Sequence, residues 1–536
     1  MSGFRIPELT REQILLWGQR LDEAVPVDHP VRHIDLLLRA SVFRETFREW
    51  ERCYVLTEGQ PPYHPRDLAA LYIYGMMNRI RSSRQLETAC YNRIDVIWLM
   101  SGERPGHATI AGFVRTHGPR LRQLQKDVLQ VAIAAGLVRL QHVAYDSTKI
   151  AADAGKCSLR SEAEISDRLA HLEERLAALE KEWEENEKRE SGLLGDDAPW
   201  TPGRSHSVRQ RMAKMKRMQQ RLQRALLNIG RRREASEHPK APRALASISD
   251  PDSRFMPSKE GGYRPNYSAQ IGVDAAHGVI VAAEANDRVE DAGQLVPMLN
   301  ETQRNCGVLP NEASADSSYN TGPDLAALER MGVTGYLPEN NERSDGERVA
   351  LQVADPKMSE ALNAVRKGHE LTDTQWAVLP RDGKGRITKD AFVYDRERDV
   401  FRCPMGQPLT PWRIDQDRKN WGERLRQQYK CSACQSCPHT RDCCINPVRG
   451  RTVGRDQHEE CRERLKVRMA TTAGLSRYRL RAQTVEPRIG LIKHVWGVRR
   501  FLHRGMDAVR TEWLGVCTAV NVSILLRHWD KVQAVL

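Results

Sequence analysis

The 536-residue sequence predicts an α/β protein with a small sheet, a helical region before it and two insertions within it. Three observations point there. Apolar residues alternate or cluster, as strands require, in HVAYDSTKI, YSAQIGVD and GVIVAAEA; they recur at helical spacing through the first 120 residues; and two blocks of biased composition separate the strand-like runs. The divisions that follow are a helical region 1–135, a core beginning at 136–160 and resuming at 250–340, a helical hairpin insertion at 161–249, a Cys-rich insertion at 341–470, and C-terminal core helices at 471–536.

In the first region IDLLLRASV, DLAALYIYGMMNRI, SSRQLETACYN and ATIAGFVRTHGPRLRQLQKDVLQVAIAAG carry helical periodicity, punctuated by Pro30, Pro61, Pro62, Pro65 and Gly106. Ser82 and Ser83 precede RQLE, so Ser83 is placed to cap the helix that follows. Arg79, Arg81, Arg84 and Arg93 make this joint basic, as in proteins that present a helix start to DNA, and ordinary helical packing accounts for the same residues.

The first strand-like run ends in polar residues after Asp146. Ile165, Leu169, Leu172, Leu176, Leu179 and Trp183 then follow a heptad seam on an acidic helix. SGLLGDDAPWTPGRS joins it to the basic QRMAKMKRMQQRLQRALLNIG, so the pair is expected to form an antiparallel hairpin. YSAQIGVD and GVIVAAEA flank Ala-Ala-His-Gly and predict a β-hairpin. VLPNEASADSSYN supplies a further strand carrying Asp316. In the second insertion Cys431, Cys434 and Cys437 stand at two-residue gaps, with Cys443 and Cys444 after them and Cys403 upstream. A tetrahedral structural zinc on Cys431, Cys434, Cys437 and Cys443 is one reading; reduced free thiols and part of an iron–sulfur ligand series are the others.

Near the C-terminus, Leu480, Val485, Ile489, Ile492 and Val495 predict one helix with an apolar underside, and Leu514, Cys517, Val520, Ile524 and Leu525 a second. Glu486 precedes Pro487, which suits a helix's first turn, so Glu486 is expected close to an N-terminus, with Arg481, Arg488 and Lys493 around it.

Charge narrows the partners. Lys plus Arg number 83 against 70 Asp plus Glu, a net of +13, and residues 445–536 hold 18 against 8. Residues 201–240 hold 12 against 2, while 161–200 hold 5 against 13. Concentrated positive charge fits a phosphodiester backbone, whose condensed counterions are released on binding. With a mean hydropathy of −0.60 and no apolar run of about 20 residues, a membrane span is not expected. MSGFRIPELTREQ lacks a signal peptide, which points to the cytoplasm, where the 12 cysteines would be thiols or metal ligands.

Asp146, Asp316 and Glu486 form an Asp, Asp, Glu set in that order, and Tyr478, Arg481, Glu486 and Lys493 form a spaced Tyr, Arg, Glu, Lys series. The chain thereby resembles the DDE transposases of bacterial insertion sequences, in the branch with that C-terminal signature. The Tyr–Arg and Glu–Lys gaps of two and six match, whereas the Arg–Glu gap is four where the commonest form has three. PPYHPRDLAALYIYGMMNRIRSSRQLETAC, Pro265, Asn266, Tyr267 and Gln270, and the Asp-x-x-Tyr at Asp316–Tyr319 extend the likeness from about Pro26 to Leu526.

The resemblance implies a ribonuclease H-like catalytic core bearing an N-terminal all-helical domain that binds DNA ends, with the coiled-coil hairpin and the Cys-rich block as insertions. It implies catalysis by Asp146, Asp316 and Glu486 through two Mg²⁺ (or Mn²⁺) ions, Asp146 bridging them. Tyr478, Arg481, Lys493, Arg488, Arg499, Arg500, Arg81 and Arg84 are the implied DNA contacts. The expected reaction is cleavage at terminal inverted repeats and strand transfer into target duplex DNA, by a homodimer in the active complex of a bacterial, nucleoid-associated protein. A metal-dependent nuclease of the same fold, and a DNA-binding protein without catalysis, remain the alternatives.

Overall fold

The computed structural model describes residues 20–54, 60–190, 204–234, 245–258, 261–339, 355–369, 371–419 and 422–536. The linker of the expected hairpin, from 191 to 203, lies outside them, as does the N-terminal segment 1–19.

The main sheet is assembled from six strands: β1 (His142–Ala151), β2 (Arg254–Pro257), β3 (Tyr263–Asp274), β4 (Ile280–Asn286), β5 (Glu312–Ser314) and β6 (Thr334–Tyr336). β1 is central. It pairs antiparallel with β3, Asp146 opposite Ile271, and parallel with β5, Ala144 opposite Ser314. β3 continues antiparallel to β4 and to β2, and β5 continues parallel to β6. The β3–β4 hairpin turns where the alternation around Ala-Ala-His-Gly placed it, and Gly278 takes the positive φ of +73° that the turn demands. Strands buried on both faces read as continuous apolar runs, and β1 is buried along nearly its whole length.

Helices from Pro30 to Ala134 pack into the same core as the sheet rather than into one of their own. Their ends are chemically marked. His64 accepts from the backbone N–H of Arg66 with Pro65 opening the next helix. Ser82, not Ser83, caps Ser83–Asn92, in a box closed by Gln85. The difference is one of reach: the hydroxyl must stand three residues before the N–H it accepts, and Gln85 answers Ser82.

The first insertion forms α1 (Glu162–Glu190) and α2 (Arg204–Glu234), packed through a small cluster of their own that includes Ile165, Leu222, Ala225 and Ile229. The second contains a five-stranded antiparallel sheet built on the long hairpin Pro408–Lys419 and Gly422–Cys431, with a separate apolar cluster.

Two C-terminal helices close the core: α3 (Thr472–Gly490), which packs on β1, and α4 (Met506–Arg527), which packs on β4. By length and apolarity α4 could cross a membrane, but 78% of its apolar window is buried inside the protein. Its Asn521 accepts from the N–H of Ile280 and donates to the carbonyl of the same residue, both at 2.8 Å, which ties the helix to the end of β4.

Candidate active site

Two carboxylates are brought level by strand register. Asp146 lies two residues beyond Ala144 on β1, and Asp316 lies two beyond Ser314 on the parallel neighbour β5. Side chains two apart along a strand point the same way, so Asp146, midway along β1, and Asp316, just past the end of β5, are placed on one side of the sheet. Asp146 is buried, and its Oδ1 accepts the N–H of Ser147 at 2.8 Å. Asp316 ends its strand by capping the short turn Ser317–Tyr319, accepting from the Ser318 backbone N–H at 2.9 Å and from its hydroxyl.

The third acid arrives on α3. Arg481 joins it to the first, with Nη2 2.6 Å from Asp146 Oδ2 and Nη1 3.4 Å from Glu486 Oε1. Burial works against the charged guanidinium, but Asp146, then Asp316 and Tyr478, hold its pKa above the ordinary value. Arg481 thus contacts Asp146 and Glu486 and feels the charge of Asp316. Its Nε is buried and has no hydrogen-bond partner among the described residues.

Glu486 is not near a helix start, as the following proline suggested, but in the last turn of the 19-residue α3, with Pro487 inside the helix. An interior proline forfeits one backbone hydrogen bond and crowds the preceding turn. Burial of Val485 and Ile492, both fully inaccessible, holds the segment in place regardless. The helix runs on into a π-helical turn, Leu491–Val495, which carries Lys493. Such turns widen the helix and recur at functional sites. Lys493 Nζ donates to the carbonyl of Lys149 on β1 at 2.9 Å, and Tyr478 is half-buried on the same helix. Of the predicted apolar underside, Val495 is the exception, at 49% exposure.

The remaining basic residues are scattered. Arg488 donates to the carbonyls of His277 and Gly278 at 2.9 and 2.8 Å, which secures α3 to the β3–β4 turn; burial lowers its pKa. Arg499 bonds His494 at 3.0 Å, and Arg500 pairs with Asp153 while its backbone bridges to Ala151 at the end of β1. Arg84 is exposed. Arg81 is held by the C-terminal segment. Its Nη2 meets Glu512 and the carbonyl of Arg500, each at 2.7 Å.

Sequence reasoning missed Asp291. This buried acid follows β4 in NDRVEDAGQL, where it looks like a loop residue. It accepts from Ser147 Oγ at 2.7 Å and Gln270 Nε2 at 2.6 Å, and lies 3.7 Å from Lys149 Nζ. Gln270 in turn accepts from the Tyr319 hydroxyl. That phenol is fully buried, which raises its pKa well above normal, helped by Asp291, Asp146 and Asp316. A polar layer behind the acids therefore spans β1, β3 and the Asp316 turn. Only its Gln270 and Tyr319 carried a sequence signal.

Among the described residues, no group of three or more His, Cys, Asp or Glu stands in metal-holding geometry. The donor chemistry does fit Mg²⁺, which prefers carboxylate oxygen. Arg481 supplies positive charge to two of the acids, Asp146 and Glu486. In the second insertion Cys403, Cys431, Cys434, Cys437, Cys443 and Cys444 line one small cavity of about 30 Å³, and none of them is in a disulfide. Burial pushes the Cys443 thiol up to about 11 and raises Cys403, Cys431 and Cys444 as well.

Comparison with protein-family models supplies the class. Residues 402–526 match the model described as a transposase DDE domain, and residues 19–116 match one described as a transposase domain (DUF772). The first span holds Tyr478, Arg481, Glu486 and Lys493 and leaves Asp146 and Asp316 outside; the second holds Arg81 and Arg84. No curated protein and no solved structure matches the chain. The chain carries a transposase DDE domain, which implies transposase activity and DNA binding. DDE transposases generally use divalent metals.

Proposed function

We propose that Asp146, Asp316 and Glu486 are the catalytic carboxylates of a transposase that cuts at the terminal inverted repeats of an insertion sequence and joins the freed 3′ ends to target duplex DNA. The observation that carries this is Arg481, which binds Asp146 and Glu486 directly and has its charged form favoured by Asp316. The strand order β4-β3-β1-β5-β6, antiparallel to one side of β1 and parallel to the other, supports a ribonuclease H-like core. The spacing of Tyr478, Arg481, Glu486 and Lys493 supports the branch with that signature.

In this reading the three carboxylates hold two Mg²⁺ or Mn²⁺ ions, which when bound would activate the attacking oxygen and stabilise the leaving one. The chain's own groups do the rest. Ser147 and the Asp291–Gln270–Tyr319 layer fix β1 behind Asp146 and keep its carboxylate aimed outward. Arg481 neutralises the acids before substrate arrives and is placed to turn its fork onto a phosphate, as guanidinium geometry favours. Lys493, held against β1, adds a second positive charge beside the strand. Pairing two element ends calls for a dimer in the active complex, in the bacterial cytoplasm.

The test is strand joining in vitro with labelled element ends, a supercoiled target plasmid and Mg²⁺. Asp146→Asn, Asp316→Asn and Glu486→Gln should each abolish cleavage and joining while end binding persists. Joining retained by any one variant removes that residue from the site. Cleavage without joining by the wild type would make the protein a nuclease.

A further inference from the structure

The outward face of α2 has no role in the active site, and its chemistry is one-sided. From Arg204 to Arg233 the helix carries eleven Lys and Arg and no Asp or Glu. At 3.6 residues per turn, Val208, Met212, Met215, Leu222, Ala225 and Ile229 share one side, which packs on α1. Basic residues beside that seam are neutralised across it: Lys216 lies 3.0 Å from Glu180 and Arg211 3.8 Å from Glu182. Arg217 lies opposite that seam, with Lys214 exposed and Arg221 half-buried at its flank, at spacings of three and four. Among the described residues none of the three has an acidic partner; Arg217 Nε merely donates to the carbonyl of Ala213 at 3.2 Å.

Like charges one turn apart, such as Arg217 and Arg221, destabilise an isolated helix, and a merely solvated face ordinarily mixes both signs. A stripe kept positive against that cost suits a polyanion. The base of the helix is also anchored. Arg224 holds Asp252 at 2.8 Å, Asp252 accepts the N–H of Met506 at 3.0 Å, and Arg232 binds Asp287 and the carbonyls of Asp252 and Ser253. The stripe is therefore tied to the start of α4 and to the loop before it, whose Arg500 bridges to the end of β1.

We infer that Lys214, Arg217 and Arg221 form a phosphate-backbone track, by which the α1–α2 arm grips duplex DNA outside the catalytic pocket. A second copy of the chain fits the stripe less well. The acidic outer face of α1, with Asp167, Glu174 and Glu185, points away from the basic face of α2. Joining the two between copies would run head to tail without closing, which produces open chains rather than a dimer.

This inference rests on the DNA-handling part of the proposed function, not on its chemistry, and the experiment separates them. Binding of the full-length chain to duplex DNA is followed by fluorescence anisotropy across a salt series. Each lost phosphate contact lowers the slope of log K against log salt by about 0.9, so Lys214→Ala/Arg217→Ala/Arg221→Ala should reduce its magnitude by about 2.7 and Arg217→Ala alone by about 0.9. The charge-preserving Lys214→Arg/Arg217→Lys/Arg221→Lys should keep the wild-type slope, and circular dichroism should show undiminished helix in all variants. An unchanged slope in the triple alanine variant overturns the inference. So does a slope left intact while sedimentation reports a changed oligomer, because the face would then seat another copy. Asp146→Asn should leave the slope unaltered; if that variant still joins DNA, the carboxylate reading fails while the track stands.

Discussion

Glu512 should be among the least replaceable side chains in the protein, although it touches neither the acids nor any exposed surface. It lies on α4 with no accessible surface and accepts from four donors: Arg81 Nη2 at 2.7 Å, the N–H of Leu502 at 2.9 Å, and both the N–H and Nδ1 of His503, at 3.1 and 2.9 Å. Burial opposes its charged form, yet His503 and Arg81 outweigh burial and hold its pKa below the carboxylate norm. Glu512→Ala leaves Arg81, whose side chain is 10% exposed, as a buried charge without its counter-ion, which costs about 3–5 kcal/mol. Glu512→Gln keeps the shape and loses the charge assistance, at about 1.5–3 kcal/mol. Replacing both partners, Arg81→Met/Glu512→Met, should recover much of the loss. Because the chain has several separate cores, one global unfolding energy is poorly defined. Hydrogen exchange of peptides from Ser83–Asn92 and Met506–Arg527 reads the contact locally, and a loss of about 3 kcal/mol corresponds to roughly 100-fold faster exchange. Exchange within threefold of wild type in Glu512→Ala, with Arg81→Ala weakening DNA binding instead, would refute the reasoning and return Arg81 to the DNA-contact role expected from sequence. Acidity tests the same node. His503 has its pKa raised by the Glu512 hydrogen bond, so its contribution is complete below about 6.5 and lost as pH rises through the higher folded value; a Glu512→Gln variant should lose that dependence.

Two further outcomes are expected. His142 is buried between Glu312, 3.1 Å from its Nδ1, and Ser314 Oγ, 2.9 Å from its Nε2, and burial lowers its pKa despite Glu312. The unfolded chain then binds the proton more readily, so the stability from this group is present above about 6.5 and lost as pH falls; hydrogen exchange of peptides covering His142–Ala151, compared between wild type and His142→Asn at pH 5 and 7.5 after correction for intrinsic rates, should show a smaller acid loss in the variant. In the second insertion, metal analysis of purified protein decides among the readings of the cysteines. About one zinc per chain, lost in Cys434→Ser, supports the structural site, whereas zinc-free protein with every thiol titrating on unfolding supports free thiols.

Local pattern made the β3–β4 hairpin, the heptad seam of α1 and the helices around Pro65 readable, because each rests on neighbours in the chain. What stayed hidden depends on distant partners. Asp291 and Glu512 look like ordinary acids of a loop and a helix, and only Ser147, Gln270, Arg81 and His503 make them interior groups. Glu486 was misplaced because the proline rule describes an isolated helix, whereas burial of Val485 and Ile492 carries α3 past Pro487. Arg481 stood out in the sequence through its spacing, but its position between two carboxylates could not be read there.

The helices from Pro30 to Ala134 and the sheet share one continuous apolar interior, into which α4 is threaded. Anything those helices bound would then be held at a set offset from Asp146, like a workpiece clamped to the same bed as the tool. Were those helices to seat DNA, packing in that shared interior would set the distance to the broken bond.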